Sequence, residues 1–299
     1  VNDIEMLEAE RRHLLALSYR MLGTVADAED AVQETYVRWY RMTDAERDAV
    51  RNPGAWLTRV ASRVCLDMLG SARARRERYV GEWLPEPVPG GWPGLREPLV
   101  AASVAVDPLD RVTLDDAVST ALLVVLESLT PAERVAFVLH DVFGVPFDEI
   151  AETVGRSTDA ARQLASKARR RVHEHRGGET TREEHDAVAR AFAAATMTGD
   201  LDGLIAVLDP DAVARSDGGG RVSAALRPVV GADRVARFLL GLPRLAPGAV
   251  LSPIETADGL GFLATVDGVA DTVISVAVAD GRVTDVFLVR NPDKLTLWR

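Results

Sequence analysis

The stretch from Leu129 to Arg176 constrains this 299-residue chain more than any other. It reads as three helices, the last two meeting at a tight turn. Thr130 is placed to cap the first, Pro131 suits its first position, and Glu133 completes a capping box. The second starts near Pro146–Phe147, places Phe147, Ile150, Ala151 and Val154 on one face, and stops at Gly155. Ser157 then caps a third helix with Ala161, Leu164, Ala165, Ala168 and Val172 inward. Its other faces carry Arg162, Gln163, Lys167, Arg169 and Arg170. A short helix, a glycine turn and a basic helix with small inward residues make the helix-turn-helix pattern. An ordinary helical hairpin with a solvated charged face is the plainer alternative. Charge separates the two: Arg156 to Arg176 holds seven Lys/Arg against Asp159 and Glu174, in a chain of net charge −10.

That acidic total excludes indiscriminate nucleic-acid binding, so any DNA contact must come from local basic patches. The single cysteine, Cys65, excludes an internal disulfide framework and a thiolate zinc site, and fits a reducing cytoplasm. No apolar run is long enough to span a membrane, and the polar, acidic N-terminal stretch is unlike a secretory signal.

Before the linker, residues 1–80 read as three helices. The first covers about Ile4–Leu22 and the second Ala26–Arg41, with Ala28, Val32, Tyr36 and Trp39 or Tyr40 inward. The third follows Asn52-Pro53-Gly54 and runs Ala55–Leu69, with Trp56, Val60, Val64 and Leu66 or Met68 inward. Arg73, Arg75, Arg76 and Arg78 follow it. Residues 81–110 are rich in Pro and Gly and read as an extended tether, with Trp83 expected to dock on a neighbour. A helix from about Pro108 to Leu129 leads into the basic domain, residues 111–177.

Residues 182–299 change character. Two helices, Glu183–Thr198 and Leu201–Leu208, precede strand-like runs at Ala212–Arg215, Val222–Pro228, Val250–Thr256, Gly261–Val266, Thr272–Val278 and Val283–Arg290. A short helix covers Ala232–Leu240. Helices followed by a curled antiparallel sheet predict an α+β cone. The domain has no tyrosine and one histidine, His185; Asp211, Asp217, Asp271 and Asp285 lie beside turns or in exposed-looking alternation, which disfavours acid–base catalysis. His173 and His175 point to different faces of their helix, so no metal or cofactor is expected.

DAEDAVQETYVRWY (Asp27–Tyr40) followed by WLTRVASRVCLDML (Trp56–Leu69) resembles region 2 of extracytoplasmic-function sigma factors, and the helix-turn-helix resembles their region 4. WLPEP (Trp83–Pro87), DGGG (Asp217–Gly220) and NPDKL (Asn291–Leu295) resemble the members with a fused NTF2-like, SnoaL-like extension. The resemblance implies two all-α sigma domains plus a C-terminal α+β cone. It implies no enzyme, but a partner of core RNA polymerase (β′ clamp and β subunit) and of promoter DNA.

Carried over, Asp27, Asp30, Gln33, Glu34, Arg38 and Arg41 would meet polymerase. Arg59, Ser62, Arg63, Arg73, Arg75 and Arg76 would meet the separated −10 strand. Arg156, Thr158, Arg162, Gln163, Lys167, Arg169 and Arg170 would meet the −35 element. Asp159 is better placed to serve its helix N-terminus. Trp83, Leu84, Pro85, Glu86 and Pro87, with Asp217, Gly218, Gly219, Asn291, Pro292, Asp293, Lys294 and Leu295, would form a regulatory contact in cis. A small-molecule ligand in the cone is a further expectation. Two other readings stay open: a one-component ligand-sensing regulator, and an NTF2-like enzyme tethered to a DNA-binding module.

Overall fold

The computed structural model describes residues 3–76, 79–93, 119–175, 180–245 and 247–299. These fall into two compact units. The first holds residues 3–76 and 125–175; the second holds 79–92, 119–124 and 180–299.

The first unit is helical: α1 (Asp3–Leu22), α2 (Val25–Tyr40), α3 (Asp44–Asp48), α4 (Pro53–Arg76), the later part of α5 (Thr120–Glu127), α6 (Pro131–Phe137), α7 (Phe147–Val154) and α8 (Thr158–His175). Local chemistry sets these boundaries. Thr24 caps α2 by accepting from the Asp27 N–H, and Gly23, at positive φ, ends α1. The capping box expected at Thr130 and Glu133 is formed. A second one, Thr43 with Glu46, starts α3, a helix absent from the sequence reading. Gly155 ends α7 in the left-handed conformation. Between α6 and α7 the backbone widens into a π-turn, Val138–Val142.

The expected inward face of α4 is met at Val64 and is shifted by one position elsewhere. Leu57, Ala61, Val64, Cys65 and Leu69 are buried, whereas Trp56 and Val60 are half-buried. Trp56 instead meets the buried Trp39 edge-on, with centroids 5.2 Å apart. In α2, Ala31 and Thr35 take core places while Tyr36 is half-buried and Tyr40 exposed. Burial pushes the Cys65 thiol up to about 12, so it is an inert core residue.

The second unit is built on a six-stranded sheet in the order β2-β1-β6-β5-β4-β3. Its strands are β1 (Leu208–Asp217), β2 (Val229–Val230), β3 (Val250–Thr256), β4 (Gly259–Val266), β5 (Val269–Ala279) and β6 (Arg282–Val289). Helices α9 (Arg182–Thr198), α10 (Leu201–Val207) and α11 (Ala232–Leu245) cover one face. Two expectations change here. The sheet is mixed, because β1 pairs with β6 in parallel. The run Val222–Pro228 is not a strand, and β1 is longer than its four-residue apolar core suggested. One face of the sheet packs Phe192, Leu204, Leu239, Phe262, Val286 and Leu288. The other packs Val273, Phe287 and Val289 with Leu84 of the linker and Leu295.

Among the described residues, no helix is long and apolar enough to cross a membrane. Linker residues 94–110, the expected helix start at Pro108 and the side chains of Arg73, Arg75 and Arg76 lie outside the described residues.

Candidate nucleic-acid and polymerase interfaces

The basic helix α8 buries Ala161, Ala165, Ala168 and Val172 along one line. Small residues at these positions let it sit close to its supports. Opposite that line, Gln163, Ser166 and Arg170 are exposed. Arg156 and Arg162 are exposed near the start of α8, beside half-buried Thr158. Arg162 pairs with Asp159 at 2.9 Å and lies 5.7 Å from the Phe147 ring centroid. Phe147 in turn stacks on His140, centroids 3.9 Å apart.

Two of the expected phosphate contacts are engaged within the unit. Lys167 Nζ is 2.6 Å from Glu133 Oε1, and Arg169 Nε is 2.6 Å from Asp141 Oδ1. The carboxylates keep only 2% and 0% of their side-chain surface. Arg171 donates to the Ser128 carbonyl at 2.8 Å.

On α2, Asp30 and Gln33 are exposed, and Glu34 pairs with Arg38 at 3.0 Å. Arg41 is exposed just beyond the helix. Asp27 differs: it is half-buried and accepts from the Thr24 hydroxyl at 2.8 Å, which ties it to the helix start. On α4, Arg63 is exposed, and Arg59 pairs with Glu152 at 2.9 Å. Ser62 departs from the expected role. It is fully buried and donates to the Thr58 carbonyl at 2.7 Å, so it faces the core rather than a DNA strand.

A buried cation in this unit was missed altogether. The Arg134 guanidinium donates to the Met21 carbonyl at 2.9 Å and to Glu127 at 2.6 Å, and burial pushes it down to about 9. Its only signal was an arginine inside an apolar helix, which also fits an exposed side chain.

In the second unit the linker lies along the sheet. Asp217, at the end of β1, is wholly buried. It accepts from Tyr79 at 2.6 Å, from the Leu84 N–H at 3.0 Å, from the Gly219 N–H at 2.9 Å and from Lys294 at 2.7 Å. Its exposed-looking position beside a turn hid this, because its partners are distant in the chain. Burial first, then the bond to Asp217, pushes the Tyr79 hydroxyl up. Lys294 also donates to the Leu84 carbonyl and lies 4.1 Å from the Trp83 ring centroid. Asn291 donates to the Tyr79 oxygen at 2.8 Å. Gly219 is at positive φ, and a Cβ there would come within 2.4 Å of Asn291. The Trp298 indole N–H donates to the Pro87 carbonyl at 2.8 Å. Val88 and Gly90 bond to Ala257 and Glu255 beside β3, each at 3.0 Å. Asp258 then caps the start of α5, accepting from the Thr120 N–H and hydroxyl at 2.5 and 2.6 Å.

Asp271, Asp285 and His185 of the cone are also committed to structure. Asp271 pairs with Arg290 at 2.9 Å, Asp285 with Arg215, and His185 reaches the Val276 carbonyl at 3.0 Å and Asp186 at 3.1 Å. The space between α9–α11 and the sheet is filled by apolar side chains. A cleft of about 550 Å³ opens at its edge, lined by Ile205, Leu208, Val230, Asp233, Arg234 and Arg282, among others. Among the described residues, no cluster of His, Cys, Asp and Glu suits a metal ion.

Residues 6–75 match the family model for Sigma-70 region 2, and residues 119–172 match that for Sigma-70, region 4. The ECF RNA polymerase sigma factor SigJ of Mycobacterium tuberculosis is 42% identical over 98% of this chain and 93% of its own length. SigG from the same species, also named an ECF RNA polymerase sigma factor, is 33% identical over 69% of this chain and 59% of its own. The crystal structure of Mycobacterium tuberculosis SigJ aligns with a TM-score of 0.72 at 37% identity, covering 98% of each chain. Two sigma regions in order, each with its helical framework, and a full-length relative that shares the C-terminal cone lead to one conclusion: the chain belongs to the ECF RNA polymerase sigma factors, in the SigJ-type arrangement.

Proposed function

We propose that this chain joins core RNA polymerase as a non-catalytic initiation factor and directs it to promoters through two readers. The exposed face of α2, with Asp30, Gln33, Glu34, Arg38 and Arg41, meets polymerase. Arg59 and Arg63 on α4, with Arg73, Arg75 and Arg76, meet the −10 strand. The start of α8, with Arg156, Thr158, Arg162, Gln163 and Arg170, meets the −35 major groove. The observation that carries the reading is the pairing of an exposed acidic-polar helix with a basic helix-turn-helix in an acidic chain. A one-component regulator gives the first of these no task.

The C-terminal unit modulates the sigma regions in cis, through the linker segment Trp83–Pro87 held by Asp217 and Lys294. This is supported by how many bonds the cone commits to the linker. A small-molecule ligand of this unit has its entry at the edge cleft, whose volume lies in the usual range for such sites. The protein works where polymerase works, in the cytoplasm.

Run-off transcription with core polymerase and a promoter library tests the reading. Start sites that appear only when the chain is added support it, and Asp30→Arg should weaken core binding. Promoter choice or output that changes in Lys294→Met supports action in cis. A chain that neither binds nor redirects core polymerase would sink the sigma reading.

A further inference from the structure

The turn between β3 and β4 holds the chain at two places far apart in sequence. On one side the Ala257 N–H donates to the Val88 carbonyl and the Gly90 N–H donates to the Glu255 carbonyl, each at 3.0 Å. On the other, Asp258 accepts from the Thr120 N–H and hydroxyl. Buried Thr256 shapes the turn: its hydroxyl accepts from the Asp258 N–H at 3.2 Å and donates to the Gly259 carbonyl at 3.0 Å. Ser275 is a further hydrogen-bond partner of the Asp258 carboxylate. Thr120 is the second residue of the stretch that matches region 4. Helix α5 also has a cap of its own, because Ser119 accepts from the Leu122 N–H at 3.1 Å. What the Thr120 bonds add is a tie between the start of region 4 and the cone. Region 2 has its counterpart in Tyr79, just past the region 2 match and bonded to Asp217. Residues 91–119 lie between the two points held by the turn, and a stretch of that length reaches roughly 100 Å when extended. Fastening both ends to one turn closes it into a loop and removes that reach.

We propose that Asp258 is a positioning residue for promoter reading. With the backbone of Glu255 and Ala257 it makes the β3–β4 turn a clamp on both ends of the linker. The cone, and not the linker's length, then sets the reach between the −10 and −35 readers. The proposal rests on the sigma reading of the two regions and on action of the cone in cis, and adds where the cone takes hold of region 4. The clasp at Asp217 and Lys294 cannot do this alone, because it holds the chain only at Tyr79 and Leu84. With Thr120 released, residues 91–119 would again lend their length to the tether.

The test uses the full chain with core polymerase on a promoter that it selects, remade with spacers from two base pairs shorter to two longer between the −10 and −35 elements. Two base pairs shift one element by roughly 7 Å and turn it by about 70° around the duplex. Run-off transcription by wild type should fall by about tenfold or more at either extreme, since the geometry then forbids both contacts at once. Asp258→Ala should flatten that fall to about threefold or less, as the tether regains its reach. Thr120→Pro should do the same without changing any residue of the cone, because proline suits the first helical position and removes both donors. Asp258→Asn, which keeps an oxygen for Thr120, should stay near wild type. A loss of stability alone lowers output at every spacer and leaves the shape of the profile unchanged. A wild-type profile in either folded variant, Asp258→Ala or Thr120→Pro, would overturn the proposal, as would a flat profile for wild type. If Asp258→Ala does not fold, Thr120→Pro decides alone. A wild-type chain that starts no transcripts with core polymerase would overturn the sigma reading first, and this proposal with it.

Discussion

Lys294 Nζ lies 2.7 Å from Asp217 Oδ2, with side-chain exposures of 6% and 0%. The pair joins the turn after β6 to the end of β1, and the linker backbone closes over it at Leu84. Lys294→Met leaves Asp217 with three other donors and should cost about 3 kcal/mol. Asp217→Ala strips four donors of their acceptor and should cost about 5 kcal/mol. Combining Lys294→Met with Asp217→Asn should recover part of the loss, because no buried charge remains. Urea unfolding of the second unit measures all three.

The linker should become cleavable when its clasp is removed. Residues 79–92 hold Tyr79 and Trp83, which chymotrypsin accepts, neither of them being followed by proline. In the intact chain Leu84 is fully buried and its backbone is bonded to Asp217 and Lys294. Deleting Asn291–Arg299 should raise the cleavage rate in this segment by at least about tenfold, since local opening controls access. An unchanged rate would mean the linker is held elsewhere.

Glu133 connects its ion pair with Lys167 on α8 to pH. Burial alone would raise its carboxyl, but Lys167 and the Thr130 bonds outweigh this and hold it below its ordinary value of 4.5. A depressed carboxyl stabilises the fold above its unfolded pKa, and that contribution is lost as pH falls through the lower folded value. Wild-type stability should therefore decline from about pH 4.5 downwards, and Glu133→Gln should flatten that part of the profile. A variant with the same acid profile as wild type would show that Glu133 contributes little.

Neighbouring positions on α4 should separate cleanly. Ser62 is buried and bonded to the Thr58 carbonyl, whereas Arg63 is exposed. Ser62→Ala should leave promoter choice unchanged and shift stability by less than about 1 kcal/mol. Arg63→Ala should reduce open-complex formation on the same promoters. The opposite pattern in run-off assays would place the −10 contact on the wrong face of the helix.

How far the sequence was readable depended on the range of the forces involved. Caps and stops act within a few residues, so the Thr130–Glu133 box and the Gly155 terminus could be read directly. The same rule would have found α3, since Thr43 and Glu46 have the required spacing. Long-range pairing left no such mark. Nothing near Leu208 announces a parallel partner at Val283, so the sheet was expected to be antiparallel throughout. Asp217 looked exposed beside its turn because Tyr79, Leu84 and Lys294 are far away in the chain. Charge was read as surface on α8, yet Lys167 and Arg169 answer carboxylates that pattern alone would also place outside.

The linker clasp also has a history within each molecule's synthesis. Leu84 and Lys294 are separated by 210 residues. At ribosomal rates of about 5–20 residues per second, the linker leaves the ribosome roughly ten to forty seconds before the lysine that holds it. Once region 4 is complete at residue 172, the nascent chain carries both sigma regions and no finished cone for the last roughly six to twenty-four seconds of that interval. Every copy therefore begins its life without the clasp and acquires it last.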